Sequence, residues 1–558
     1  MASSSKDTHT SIEMKDAHTS IGMKGSDVYT TSGSALVDLS VRLVRGGWNE
    51  EMAALFIKAL EGAEEDTIVL AFQTRDVRGG KGERKLFYQM VELLLKQRPH
   101  LMKGLLNLIP EYGCWRDLYT EELRDCRREI EDLVIQQLKK DSFDGPVGSI
   151  SLCAKWAPRE GKNTEAAKAM AAKLFPSEPR LSQRLKAYRK LVADLNRLID
   201  TTEIKMCSQH FADIDPAKVP GVCLAKHMKA FLNQPLKGHG LRHPDDPDRN
   251  ACREHFQQHM AKAVKGEVKV NGAVTRYPHQ VIKDIVKGAE AAEKDALIAV
   301  WNGMVANAKA LGGLQKTIAM CDFSGSMQSA GTAKDTPYWV SMAMGLLISE
   351  VTSDEFKDTF LTFDSNPTWH ELPTGTDIFN RVRSIGYVGQ GTSTDFQKAM
   401  DLVLSTLKEK RVRPGQEPKD LIVITDMAWD QACSSSERSA YTDHSYRHVV
   451  KTESWQTHIQ MIREAFRRAG EDMWGATYGW KPPRIVIWNV AATCSDFHAT
   501  ADTEGVIMLS GWSPSLFKVL TEEGARVQTP TEALRIMLDD ARYDPIRQRL
   551  AVLKEGQR

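Results

Sequence analysis

The sequence predicts two kinds of architecture in one chain: an all-α helical-repeat domain over 34–313, then a doubly wound, mainly parallel α/β domain over 314–558. Three observations predict it. The length of 558 residues exceeds what one hydrophobic core normally serves. Apolar residues recur at helical spacing from Ser34 to Gly313. After Thr317 the period changes to short apolar runs separated by helical segments.

Residues 1–33 are polar and carry a tandem duplication: Asp7-Thr8-His9-Thr10-Ser11-Ile12-Glu13-Met14-Lys15 recurs as Asp16-Ala17-His18-Thr19-Ser20-Ile21-Gly22-Met23-Lys24. So few apolar groups cannot offset the entropy of ordering, so a disordered tail is expected. In the next segment Leu36, Val37, Leu39, Val41, Leu43 and Val44 fit one amphipathic helix, and Leu86, Phe87, Met90, Leu93 and Leu94 another. Breakers fall at Arg78–Gly82, Glu111–Gly113 and Phe175–Pro179. Helices joined by such short turns suggest stacked pairs, as in an α-solenoid of the HEAT type, although no strict period repeats. Gly238 to Asn250, rich in Pro and Asp, reads as an exposed loop.

Strands are predicted at Ile318–Cys321, Phe360–Phe363, Leu421–Ile424, Ile485–Trp488 and Val506–Leu509. Helices are predicted between and after them at Tyr338–Val351, Phe396–Leu407, Trp455–Ala469 and Ser515–Leu520. Parallel sheets bind ligands beyond the carboxyl ends of their strands. Asp322 stands at one such end and Asp426 at another. Cys321 and Trp488 fall inside strands and read as core.

Composition narrows the classes. A hydrophobic content of 42% with 26% charged residues suits a soluble globular chain. The 74 bases and 73 acids nearly cancel, so no whole-chain field marks a nucleic-acid binder. Locally, Lys155 to Lys205 is about two to one basic. The nine cysteines include no CxxC pair, which suits reduced thiols. No apolar run approaches the roughly 20 residues of a membrane span, and the N-terminus lacks a secretory core. A cytoplasmic or nuclear protein without membrane contact is expected.

The string CDFSGSM sets Asp322, Ser324 and Ser326 at alternate positions beyond a buried strand. An oxygen-only shell of this kind suits Mg²⁺, or Mn²⁺ or Ca²⁺ in its place. Serine and aspartate also cap helices, so the string alone is weak. Thr394, opening the helix from Phe396, and Asp426 supply the rest, with Thr392 a substitute for Thr394. Asp364 and Asp395 near the same face read as a turn residue and a helix-start carboxylate. The ordered set Asp322, Ser324, Ser326, Thr394, Asp426 resembles the metal-ion-dependent adhesion site of von Willebrand factor A domains. That resemblance implies a cation with an open position for an acidic group of a partner protein. The sequence offers no evident general base beside the metal, so a non-enzymatic interaction protein is expected over a metal-dependent hydrolase.

In the helical half, FQTRDVRGGKGERKLFYQM (Phe72 to Met90), LIPEYGCWRDL (Leu108 to Leu118) and LCAKWAPREGKN (Leu152 to Asn163) look like the DUF2828-type family of uncharacterised proteins, over nearly everything after residue 34. A more distant similarity is to the Ro/TROVE ring proteins, which implies RNA as an alternative partner. Candidate phosphate contacts are Arg75, Arg78, Lys81, Arg84, Lys85, Arg116, Lys155 and Arg159, with Trp156 for stacking. The competing reading makes them loop charges paired with Asp76, Glu83, Asp117 and Glu160. Gly79-Gly80-Lys81-Gly82 lacks Walker spacing, which excludes a P-loop. Cys252, His255 and His259 share helical spacing but lack a fourth ligand and read as a solvated helix face.

Overall fold

The change of period at Thr317 is where the sheet begins. In the computed structural model the described residues are 19–21, 27–143, 150–161, 163–271, 273, 276–288, 291–311, 314–329, 336–353, 355–364, 366–386, 396–427, 455–494, 496–520 and 529–556. Strands β1 (Thr19–Ile21) and β2 (Asp27–Tyr29) form a small antiparallel pair. The main sheet contains β3 (Thr317–Asp322), β4 (Thr359–Phe363), β5 (Trp369–Glu371), β6 (Asp420–Thr425), β7 (Arg484–Asn489) and β8 (Val506–Ser510). Its order is β5-β4-β3-β6-β7-β8, parallel throughout except for the antiparallel edge strand β5. Every residue of β3, β6 and β8 is buried, so both faces of the sheet are covered.

The five predicted strands all form, each within a residue or so of its expected bounds. β5 and the helix Ile378–Ile385 lie between them in addition. The Gly238 loop ends earlier than expected. Asp246 accepts from the N–H groups of Asp248 and Arg249 and so caps a helix from Pro247 to Val264. In that helix Cys252 is core and His255 is exposed, so the Cys/His set does not converge. The eight cysteines among the described residues are free thiols. No helix among the described residues is long and apolar enough to cross a membrane.

From Ala35 to Ala310 the described chain is helical, and it is fastened to the sheet at both ends. At its start, the helix Ala35–Arg42 lies against β8. Tyr112 stacks on Tyr543 at 5.7 Å, and the Tyr112 hydroxyl donates to the Arg542 carbonyl at 2.8 Å. Asp76, wholly buried, accepts from the Arg542 guanidinium, and Glu65 and Asp66 accept from Arg547. At its far end, the Trp301 indole donates to Glu350 on the helix Pro337–Val351, which covers β3 and β4. Between these anchors a second core forms around Phe231 and Phe256, stacked at 4.6 Å.

The end of the expected tail is anchored too. Tyr29 exchanges two backbone hydrogen bonds of 2.8 Å with Phe497, and the Ala501 N–H donates to the Ser32 carbonyl at 2.8 Å. Asp38 accepts from the Thr31 hydroxyl and the Ser32 N–H. The expectation of a disordered segment to residue 33 therefore does not hold for residues 19–21, paired with β2, or for residues 27–33. Backbone pairing, to which side-chain composition is blind, holds them.

Candidate metal centre

Asp322 ends β3 and Asp426 follows β6. The two strands pair in parallel with Cys321 opposite Ile424, so both carboxylates reach the same edge of the sheet. Strand order reverses between β3 and β6. Such a reversal is the position beyond whose strand ends sheets of this class bind ligands.

Asp322, Ser324 and Asp426 are all buried, and Ser326 is half-buried. The Ser324 N–H donates to Asp322 Oδ1 at 2.9 Å, and the Thr425 hydroxyl donates to Asp322 Oδ2 at 2.9 Å. The hydroxyls of Ser324 and Ser326 stand 3.0 Å apart. Burial, and then the charge of Asp426, hold the Asp322 carboxyl well above the usual carboxylate range. A buried carboxyl facing a neighbouring carboxylate, as Asp322 does, is relieved by a proton or a cation. The donors here are carboxylate and hydroxyl oxygens, the set that suits a hard divalent ion. Asp364 stands beyond β4 on the same edge and accepts from the Asn366 N–H at 2.9 Å, as a turn residue does. Thr392, Thr394 and Asp395 lie outside the described residues.

Two residues of this edge carry no sequence signal of the kind sought. Thr425, the last residue of β6, orients Asp322. His498, buried in the loop between β7 and β8, donates from Nε2 to the Met427 carbonyl at 2.8 Å. Met427 follows Asp426 and has a φ of 70°, a left-handed conformation that costs a non-glycine residue about 1–3 kcal/mol. Its N–H donates to Thr425 Oγ1 at 3.2 Å. Burial pushes His498 down to about 4, so the imidazole is neutral near pH 7.

The basic residues divide into two groups. Arg75 and Lys81 are interior, which removes them from the surface expected to meet phosphate. Arg75 pairs with the buried Asp117 at 2.6 Å. Lys81 Nζ donates to the carbonyls of Ser40 at 2.6 Å and Leu43 at 3.2 Å and to Ser510 Oγ at 2.7 Å. Burial pushes its ammonium down to about 7, with Glu83 acting against the fall. Lys155 pairs with Glu203 at 3.0 Å. Arg78, Arg84, Lys85, Arg116 and Arg159 are exposed. Arg84 reaches Asp117 at 3.5 Å, while Arg116 lies over the Trp156 ring at 5.9 Å. Lys81, through Ser510, and Arg78, whose carbonyl accepts from the Ser515 hydroxyl, thus belong to a loop that meets the α/β part, whereas Arg75 ends the helix Glu64–Arg75 and pairs within the helical segment.

Comparisons with known proteins divide the chain where the fold does. Residues 112–314 match a domain of unknown function, DUF2828, and residues 316–549 match another, DUF7788. The boundary falls between the helix Ala291–Ala310 and β3. DUF2828 thus accounts for the later part of the helical segment, a shorter stretch than expected, and the α/β part matches a separate domain. An uncharacterized protein of Acanthamoeba polyphaga mimivirus is 27% identical over 523 residues, covering 89% of this chain and 83% of that protein. The crystal structure of Deinococcus radiodurans RO (RSR) protein is similar at 14% identity, covering 87% of this chain and 99% of that one, with a TM-score of 0.38. That likeness is too distant to transfer any property.

Proposed function

We propose that this is a non-enzymatic interaction protein whose α/β part holds a Mg²⁺-type cation and ligates an acidic group of a partner protein. The carrying observation is the meeting of buried Asp322 and Asp426 with the Ser324 and Ser326 hydroxyls at the point where strand order reverses. Residues holding the ion would be these four and Thr394, as the resemblance to von Willebrand factor A domains implies. The strand order and the short antiparallel edge strand support that resemblance. When bound, the ion supplies a Lewis-acidic position open to one more oxygen. Around it the chain's own groups do the orienting: the Thr425 hydroxyl and the Ser324 N–H fix the Asp322 carboxylate, one oxygen each.

Calorimetry with Mg²⁺ and Mn²⁺ on the wild type and on Asp322→Asn tests the reading. Wild type should bind, and the variant, which keeps its shape and loses its charge, should bind at least about ten-fold more weakly. A folded wild type that takes up neither ion refutes it.

A second reading, RNA binding by the helical part, is favoured by the exposed Arg84, Lys85, Arg116 and Arg159 and the Arg116–Trp156 contact. Cationic and aromatic planes of this kind suit single-stranded nucleic acid. A single-stranded RNA probe should then bind with steep salt dependence and weaken in Arg116→Ala. Absence of any salt-sensitive shift rejects the reading.

A further inference from the structure

We infer that His498 is a positioning residue for Asp426, and that the N-terminal strand β2 is the strap that keeps His498 in place. The inference deepens the cation-site reading and rests on it. Five linked observations run from the strap to the site. Asp38 on the helix Ala35–Arg42 accepts from Thr31 Oγ1 at 2.5 Å and from the Ser32 N–H at 2.8 Å, which fixes the chain just after β2. Tyr29 and Ser32 pair through their backbones with Phe497 and Ala501, on either side of His498. Thr531 closes the same loop from the other side, donating its N–H at 3.0 Å and its hydroxyl at 2.9 Å to the Ala501 carbonyl. His498, held between these points and wholly enclosed, donates to the Met427 carbonyl at 2.8 Å. Met427 is left-handed and directly follows Asp426, so its peptide sets the direction in which the Asp426 backbone leaves β6.

A left-handed methionine persists only where its surroundings over-determine it. The bonds to Met427 visible at this position are the His498 donor on its carbonyl and the Thr425 hydroxyl on its N–H. Loss of the donor lets the peptide relax to an ordinary conformation and swings Asp426 with it. Groups one shell removed from a metal ligand act in this way, and their loss typically weakens binding about 10–100-fold. Whatever peels residues 27–32 away from residues 497–501 therefore loosens the site without touching it. The N-terminal segment is thereby coupled to the capture of a partner.

The test uses the full chain with Mn²⁺ as probe. His498→Phe keeps a ring and removes the donor, His498→Gln keeps a donor, and Tyr29→Pro removes the N–H that pairs with Phe497. Affinity is read by calorimetry, and amide exchange over residues 420–427 by mass spectrometry. His498→Phe should weaken Mn²⁺ binding by about ten-fold or more, with His498→Gln recovering most of the loss. Tyr29→Pro should weaken binding to a smaller extent, and exchange at the end of β6 should quicken in both His498→Phe and Tyr29→Pro. Equal affinity and unchanged exchange in all variants overturn the inference. A wild type that binds no Mn²⁺ overturns the cation-site reading instead, and exchange alone then decides: faster exchange sustains the positioning role and unchanged exchange removes it. Should His498→Phe fail to fold, Tyr29→Pro and His498→Gln carry the same comparison.

Discussion

Lys81 is the residue whose removal should be felt furthest from its position in the sequence. Its ammonium has three protons, and three oxygens receive them: Ser40 O at 2.6 Å, Leu43 O at 3.2 Å and Ser510 Oγ at 2.7 Å. Ser510 Oγ in turn donates to Ser40 O at 2.6 Å and reaches Leu43 O only at 3.5 Å. Lys81→Met keeps an unbranched apolar stem and deletes the charge. Ser40 O then retains a donor, Leu43 O retains only the long contact, and the Ser510 hydroxyl loses its donor. Each buried oxygen stripped of its partner costs about 1–3 kcal/mol, and the ammonium no longer needs to be desolvated, so a net loss of about 2–4 kcal/mol is expected. Ser510→Ala alone should cost about 1–2 kcal/mol, since Lys81 keeps both carbonyls. Because the two side chains share one network, the double variant should cost less than the sum by about 1–2 kcal/mol. Urea unfolding followed by both fluorescence and circular dichroism supplies the four free energies wherever the two signals coincide. Additivity to within about 0.5 kcal/mol, or a Lys81→Met cost near zero, would refute the account of Lys81 as the pin between the helices and the sheet. A lysine reserved for phosphate would give that second result.

Two further perturbations test the same region and the edge beside it. Burial holds His498 at about 4 in the fold, below its ordinary 6.5 when unfolded, so the unfolded chain takes up the proton first as pH falls. The stability tied to its neutral form is complete above about pH 6.5 and is lost as pH falls towards 4, about 3 kcal/mol in all; urea midpoints in His498→Gln should show a correspondingly flatter acid limb than wild type. Gly82 has a φ of +72°, and a Cβ there would stand 2.6 Å from the Tyr277 hydroxyl, which donates to Lys81 O at 2.9 Å and is not free to withdraw. Gly82→Ala should therefore cost about 2–4 kcal/mol, and a Tyr277→Phe background should restore the steric part while leaving the backbone part.

The strands were legible because a strand buried on both faces must be apolar at every position, and Ile318–Cys321 and Leu421–Ile424 are. β5 was not, since Trp369-His370-Glu371 is short and half exposed at an edge. The placement of Asp322 and Asp426 at one edge of the sheet was legible because a carboxylate at the end of such a run, or directly after it, stands at a carboxyl end. His498 was not, because its partner lies 71 residues away and neither end of that bond has a local pattern. The loop Gly79–Glu83 shows how local chemistry misdirects. Glycines around a lysine resemble a phosphate cradle, whereas the oxygens that Lys81 meets belong to the end of the helix Ala35–Arg42 and to β8. Helix ends leave carbonyls without partners, and a buried ammonium satisfies them as a phosphate-binding one would satisfy an anion. Spacing in the sequence does not distinguish the two.

These placements converge on one edge. Ser510 ends β8 and is fastened to Ser40 O, and Asn489 ends β7 and donates to Val41 O at 2.9 Å. Arg45 closes the same corner, pairing with Glu83 at 3.0 Å while its guanidinium lies 4.3 Å from the Trp512 ring and 5.0 Å from the Tyr277 ring. Tyr277 comes from the far end of the helical segment, so its beginning, its end and the sheet meet there. The carboxyl ends of β7 and β8 are thus occupied by the first helix and its loop, and those of β3 and β6 carry the candidate cation ligands. The first residue past β7, Val490, donates its N–H to Thr425 O at 3.1 Å, which ties the covered half to the strand that presents Asp426. Rearrangement of the first helix against β7 therefore has a short backbone route to the candidate site, through the strand ends themselves. A helical part docked elsewhere on the sheet would have none.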